Sequence, residues 1–165
     1  MVGSIEGWAA GGAGAGTPGA HRYWRVLTTE LQNLAFLTIA ELEMRPSIGG
    51  ADLADPLNYI EGTHHTTADG SLAFDSDPAT WWRYELPGGV PGADAWVGQD
   101  FGAGNEAEVQ EITIQARTSP NQNQSPRQFA VQYSDDGTNW TTAWSETTGN
   151  WVTAGDIRTF TAPYA

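Results

Sequence analysis

No cysteine and no lysine occur among the 165 residues. Without cysteine there is no disulfide framework, no zinc–thiolate centre and no thiol nucleophile, and the redox compartment is left open. Without lysine, the positive charge rests on seven arginines against 20 acidic residues, for a net charge of −13. A surface of that sign repels phosphate backbones and anionic membranes but suits divalent cations and neutral ligands. Nucleic acid is therefore excluded as an expected partner. No apolar run approaches the roughly 18 residues of a membrane-spanning helix, so no membrane insertion is expected. The N-terminus has neither the basic region nor the unbroken apolar stretch of a secretory signal. Also missing are a G-x-S-x-G elbow, an H-E-x-x-H helix and a phosphate loop. A glycosidase needs two carboxylates about 5–10 Å apart across a cleft, yet with 20 acidic residues chance pairs abound. The expectation is a chain that does not catalyse.

What is present is a dense aromatic complement of eight Trp, five Tyr and five Phe. At this length the chain reads as one domain able to bury roughly two thirds of its extended surface. Residues 1–20, running through Gly11-Gly12-Ala13-Gly14-Ala15-Gly16-Thr17-Pro18-Gly19, cannot offset their chain entropy and read as a flexible arm. Trp8 is the one residue there that could dock on a neighbour. Residues 21–165 form the domain.

Within that domain the apolar period is two. His21–Thr29 sets Tyr23, Arg25 and Leu27 against Trp24 and Val26, and Thr38–Met44 sets Ala40, Leu42 and Met44 against Glu41 and Glu43. Further strands are predicted over Thr80–Glu85, Ala95–Phe101, Glu111–Arg117, Arg127–Ser134, Asn139–Trp144 and Ile157–Thr161. Ile112, Ile114 and Ala116 share a face, as do Phe129, Val131 and Tyr133. Asp136-Gly137 marks a hairpin. One turn of helix fits around Ala51–Leu57. Many short strands with frequent turn signals predict an all-β sandwich or jelly roll with short helical turns.

The stretch Leu72-Ala73-Phe74-Asp75-Ser76-Asp77-Pro78-Ala79-Thr80-Trp81-Trp82 holds the most concentrated chemistry. Calcium takes six to eight oxygens at about 2.3–2.6 Å, and Asp75, Asp77 and Thr80 offer several from one loop stiffened by Pro78. It is not an EF-hand, because Ala79, Thr80 and Leu86 stand where that loop needs an acid or amide, a glycine and a glutamate. An Asx-turn that binds nothing accounts for the same local residues.

Four segments together resemble discoidin-like domains, also called coagulation factor 5/8 type C domains, and the related family-32 carbohydrate-binding modules. Ala73–Trp82 is similar to their "A-(F/I)-D-G-(N/D)-x-x-T-x-W" loop, and Gln132-Tyr133-Ser134-Asp135-Asp136-Gly137-Thr138-Asn139-Trp140 to their "S-x-D-G-x-x-W" hairpin. Arg22-Tyr23-Trp24-Arg25-Val26 resembles "R-Y-(V/W)-R-(L/V)", and Thr38-Ile39-Ala40-Glu41-Leu42-Glu43 resembles "S-I-A-E-(I/L)-E". The likeness implies a galactose-binding-like jelly-roll sandwich. The last two motifs usually close the domain and here they open it. That order implies a circular permutation spliced near 45–54, plausible where sandwich termini lie close together. The alternative is that residues 21–44 complete a neighbouring copy by strand exchange, which would make the protein a homo-oligomer.

The resemblance also implies a calcium cage built from the Leu72 carbonyl, Asp75, Asp77, Thr80, the Ala40 carbonyl and Glu41, stapling loop to strand. Ser76 replaces the usual glycine there. For Glu41 the plain alternative is a solvated strand face shared with Glu43. For ligand binding, the likeness points to sugars held by the polar loop from Arg117 to Arg127, with Arg117, Asn121 and Asn123 as matching candidates. One of the adjacent His64 and His65 would join the rim, beside Tyr59 or the Trp82–Arg83 pair, so that His64, Trp82 and Arg83 complete the candidate set. Ordinary surface loops account for these residues equally simply. The glycine–alanine arm, the aromatics and the permuted order look similar to domains of tailed-phage virion proteins. That analogy implies a phage tail or head module contacting host surface glycans, or otherwise an extracellular or cell-surface one. The competing expectation is a decoration or scaffold protein docked to other virion proteins through the arm.

Overall fold

The computed structural model describes residues 17–32, 36–86, 89–118 and 120–165. Most of the expected arm, Trp8 included, lies outside the described residues. Ten strands follow in order: β1 (Tyr23–Leu31), β2 (Phe36–Ile39), β3 (Glu41–Arg45), β4 (Tyr59–Glu61), β5 (Trp82–Glu85), β6 (Trp96–Asp100), β7 (Glu111–Gln115), β8 (Pro126–Ser134), β9 (Thr141–Thr147) and β10 (Ile157–Thr161). Every pairing is antiparallel. A five-stranded sheet runs β4-β6-β1-β8-β9, a three-stranded sheet runs β10-β7-β3, and β2 pairs with β5. The all-β sandwich expected from the alternation is the fold.

The alternation decides which side chains enter the core. Trp24, Val26, Val97, Phe129 and Val131 from the five-stranded sheet form one apolar cluster with Leu42, Met44, Ile112 and Ile114 from the three-stranded sheet. Phe129 of β8 meets Phe160 of β10 edge-on at 5.1 Å between ring centroids, tying the two layers together. Each fully buried aliphatic or Phe side chain contributes about 1.5–3 kcal/mol relative to exposure. Gly98 allows β1 and β6 to approach: a Cβ there would stand 2.1 Å from the Trp24 carbonyl oxygen. The Asp136-Gly137 hairpin is present between β8 and β9, with Gly137 at φ +71° and the Asp136 carboxylate accepting the Thr138 and Asn139 amides.

Two sequence expectations are corrected here. The single strand expected over Thr38–Met44 is two strands, broken at Ala40. Its amide donates to the Gln115 carbonyl at 3.0 Å, and there the chain leaves β5 for β7, crossing from one sheet to another. Around Ala51–Leu57 there is no helix. That segment is an irregular connection whose Asp52 carboxylate accepts the Met44 and Ala54 amides, side-chain turns taking the place of a helical ladder. The three-residue edge strand β4 was too short to show a period.

Candidate functional site

The acidic loop begins with a 3-10 turn, Gly70–Ala73, capped by Asp69, whose Oδ1 accepts the Ser71 amide at 3.0 Å. Phe74 then anchors the chain in the core at 5 % exposure. Asp75 Oδ1 accepts the Asp77 amide at 3.0 Å and Oδ2 accepts the Thr80 hydroxyl at 2.8 Å. The Asp77 carbonyl accepts both the Thr80 amide and its hydroxyl at 2.9 Å. The Asx-turn is thus formed. It carries one strained link, since Ser76 sits at φ +59°, the only non-glycine among the described residues in left-handed backbone. Such a conformation costs roughly 1–2 kcal/mol without glycine.

The tertiary structure brings Glu41 to this loop. The switch at Ala40 delivers Glu41, first residue of β3, alongside Asp75. Burial first, and then the Asp75 charge, push the Glu41 carboxyl up to about 7. Its Oε1 is buried with no hydrogen-bond partner among the described residues. Two carboxylates held together with one oxygen unsatisfied is an arrangement that a hard cation would relieve. No three His, Cys, Asp or Glu side chains converge at metal-holding geometry among the described residues. A cation here would therefore draw further oxygens from Thr80 and from the Ala40 and Leu72 carbonyls.

The far side of the same loop opens onto a cavity of about 230 Å³, lined by His65, Ala68, Leu72, Thr80, Trp81 and Arg83 among others. Leu72 and Thr80 thus belong both to the cavity wall and to the proposed cage. Arg117 lies against this wall, its guanidinium carbon 3.4 Å from the Trp81 ring centroid. Arg83 sits 3.7 Å from the Phe36 ring. Burial, and then the Arg83 charge, hold the Arg117 guanidinium below its usual pKa. Arg22, Arg45, Arg127 and Arg158 each pair with a carboxylate, whereas among the described residues Arg25, Arg83 and Arg117 form no ion pair; Arg25 donates to Gln132 Oε1 and lies over Trp96 and Trp140, outside this cavity. The buried Arg83 Nε, Arg117 Nε and His65 Nδ1 have no hydrogen-bond partners there either. The cleft therefore combines an indole, two arginines and unspent N–H groups in a chain of net charge −13.

The expected ligand residues fare differently. Arg83 lines the cavity, and Arg117 reaches its wall through Trp81. Trp82 does not: it is fully buried, donating Nε1–H to Glu61 Oε2 at 2.8 Å. The reason is register. Trp82 pairs with Ile39 and points into the core with Tyr84, so the outward indole is Trp81. His64 is exposed and paired with Glu61 at 2.7 Å, and His65 is the histidine at the cavity. Asn121 and Asn123, at the start of and within the 3-10 turn Gln122–Gln124, do not line it. Trp81 was discoverable from the alternation that runs into β5, had its register been known, whereas nothing local distinguishes His65 from His64.

A family model, F5/8 type C domain, matches residues 59–164. No curated protein and no solved structure gives a significant match. With more than half of its length matched, the chain belongs to the F5/8 type C domain family, whose members are commonly carbohydrate- or ligand-binding modules and generally non-catalytic.

Proposed function

We propose that this protein is a non-catalytic carbohydrate-binding module whose ligand occupies the cleft formed by Trp81, Arg83, His65 and Arg117. The observation that carries the reading is that Arg83 and Arg117, which have no carboxylate partner among the described residues, meet the Trp81 indole at one cleft, Arg83 in its lining and Arg117 over the ring. Unspent N–H groups around an aromatic face suit sugar hydroxyls and ring faces. The test is a glycan array with the intact chain and its Trp81→Ala and Arg117→Ala variants. Retention of all binding by both variants would remove the cleft from the reading.

The reading includes a structural calcium ion held by Glu41, Asp75, Thr80 and the Leu72 and Ala40 carbonyls, the Asp77 carboxylate being turned instead to the Ala79 amide. The ion would neutralise the Glu41–Asp75 pair and fix the loop that walls the cleft. Isothermal titration of the chelator-treated protein with calcium tests this, and absence of heat at any calcium concentration sinks it.

The reading also takes the domain to be circularly permuted. In support, residues 22–43 precede the matched segment, yet supply β1, at the centre of the five-stranded sheet, and β3. A virion surface contacting host glycans is the setting we favour, on the likeness to tailed-phage proteins. Immunolabelling of particles from the source would test it, and label confined to unassembled protein would refute it.

A further inference from the structure

At the other end of the sandwich lies a cavity of about 440 Å³, bounded by Asp55, Asn58, Gln99, Phe101, Asn105 and Glu106 among others. Gln99 pairs with Trp24 at the start of β1, whereas the Arg117 loop leads into β8 where Pro126 pairs with Leu31 at its end. These two positions on β1 are seven strand residues apart, roughly 20 Å. This cavity shares no residue with the Trp81 cleft.

Its floor is an amide that the fold leaves half used. Gln99 is 0 % exposed. Its Oε1 accepts the Asp55 amide at 3.0 Å, which fixes the orientation of the group. Its Nε2 then has no partner among the described residues. A buried donor left unpaired is destabilising, and buried polar groups are satisfied in the great majority of cases. Asp55 Oδ1 and Oδ2 accept the Leu57 amide and the Asn58 side chain, and Glu106 Oε1 accepts the Gly104 amide. The rim is therefore acidic and amide-bearing, and Phe101 adds an aromatic wall. An occupant must accept a hydrogen bond at depth and donate at the rim, and the acids disfavour an anion. The volume lies within the range of small-ligand pockets.

We infer that this cavity is a second ligand site, taking a neutral polyhydroxylated molecule of monosaccharide size with an oxygen on Gln99 Nε2. The inference is independent of the Trp81 cleft. The test follows the Gln99 side-chain amide signals of the ¹⁵N-labelled full chain by NMR during titration with glucose, galactose and N-acetylglucosamine, and with glucuronate in parallel. The Gln99 signals should shift and saturate with at least one neutral sugar, with a Kd of about 1 mM. Asn105→Ala, an exposed position, and Phe101→Leu should each weaken that binding by roughly tenfold. Arg117→Ala should leave it unchanged, and glucuronate should bind more weakly. Signals that stay still with every sugar, with only water found at Nε2 in a soaked crystal, overturn the site. Loss of the shift in Arg117→Ala overturns its independence, and equal binding of glucuronate overturns the ligand class.

Discussion

Arg117 covers one face of Trp81, its guanidinium carbon 3.4 Å from the ring centroid, and so ties the loop after β7 to the loop before β5. A cation–π contact of this kind is worth about 0.5–2 kcal/mol, and the planar fork that stacks cannot be copied by an ammonium. Arg117→Lys is therefore expected to behave more like Arg117→Ala than like the native chain, with sugar affinity reduced about tenfold or more by calorimetry. Native affinity in the lysine variant would show that only charge matters there.

The Glu41–Asp75 pair gives a prediction with opposite signs in two conditions. With chelator present, Glu41→Gln removes repulsion between neighbouring carboxylates and should raise the melting temperature. With calcium present, the same change removes a ligand of the proposed ion and should lower it. Native protein should gain about 2.7 kcal/mol at calcium a hundredfold above its Kd. A shift of the same sign in both buffers rules out an ion at this loop.

Gly98 sits where β1 and β6 touch, and a methyl group there meets main chain rather than a flexible side chain. Gly98→Ala is expected to cost about 1–3 kcal/mol or more in urea unfolding. An unchanged midpoint would mean that the two strands separate readily.

Arg22 Nε and Nη2 donate to the two Asp100 oxygens at 2.7 and 2.8 Å, and this hydrogen bonding holds the Asp100 carboxyl below its usual pKa of 3.8. A lowered folded value means that the stabilisation is present above the unfolded pKa and is lost as pH falls through the folded one. Asp100→Asn should therefore lower stability at neutral pH and flatten the acid limb of a melting-temperature profile. An acid limb as steep as the native one would place the proton uptake elsewhere.

Much of the fold was legible because alternation is a local property. Trp24 and Val26, or Leu42 and Met44, declare their face from spacing alone, and Asp136-Gly137 declares its hairpin. The break at Ala40 was not legible, because Ala40 continues the apolar period without interruption. It is the competition between β5 and β7 for pairing that splits the strand. The candidate site was legible as a set of residue types: Asp75, Asp77 and Thr80 stood in one loop, and Arg83 and Arg117 were named. Trp82 is the core indole and Trp81 the outward one, a difference invisible in the sequence because two adjacent indoles look alike until strand register assigns one to the core.

The sequence by itself determined the sandwich class, the acidic surface and the chemistry of the Asp75 loop, because period, charge and turn residues act over a few positions. Only the tertiary structure decided that the strand breaks at Ala40, that Trp81 rather than Trp82 meets Arg117, and that Gln99, in the wall of a cavity, keeps a donor with no partner among the described residues. Each depends on which strands pair and in what register. That choice is fixed by burial summed over the whole core and not by any single segment.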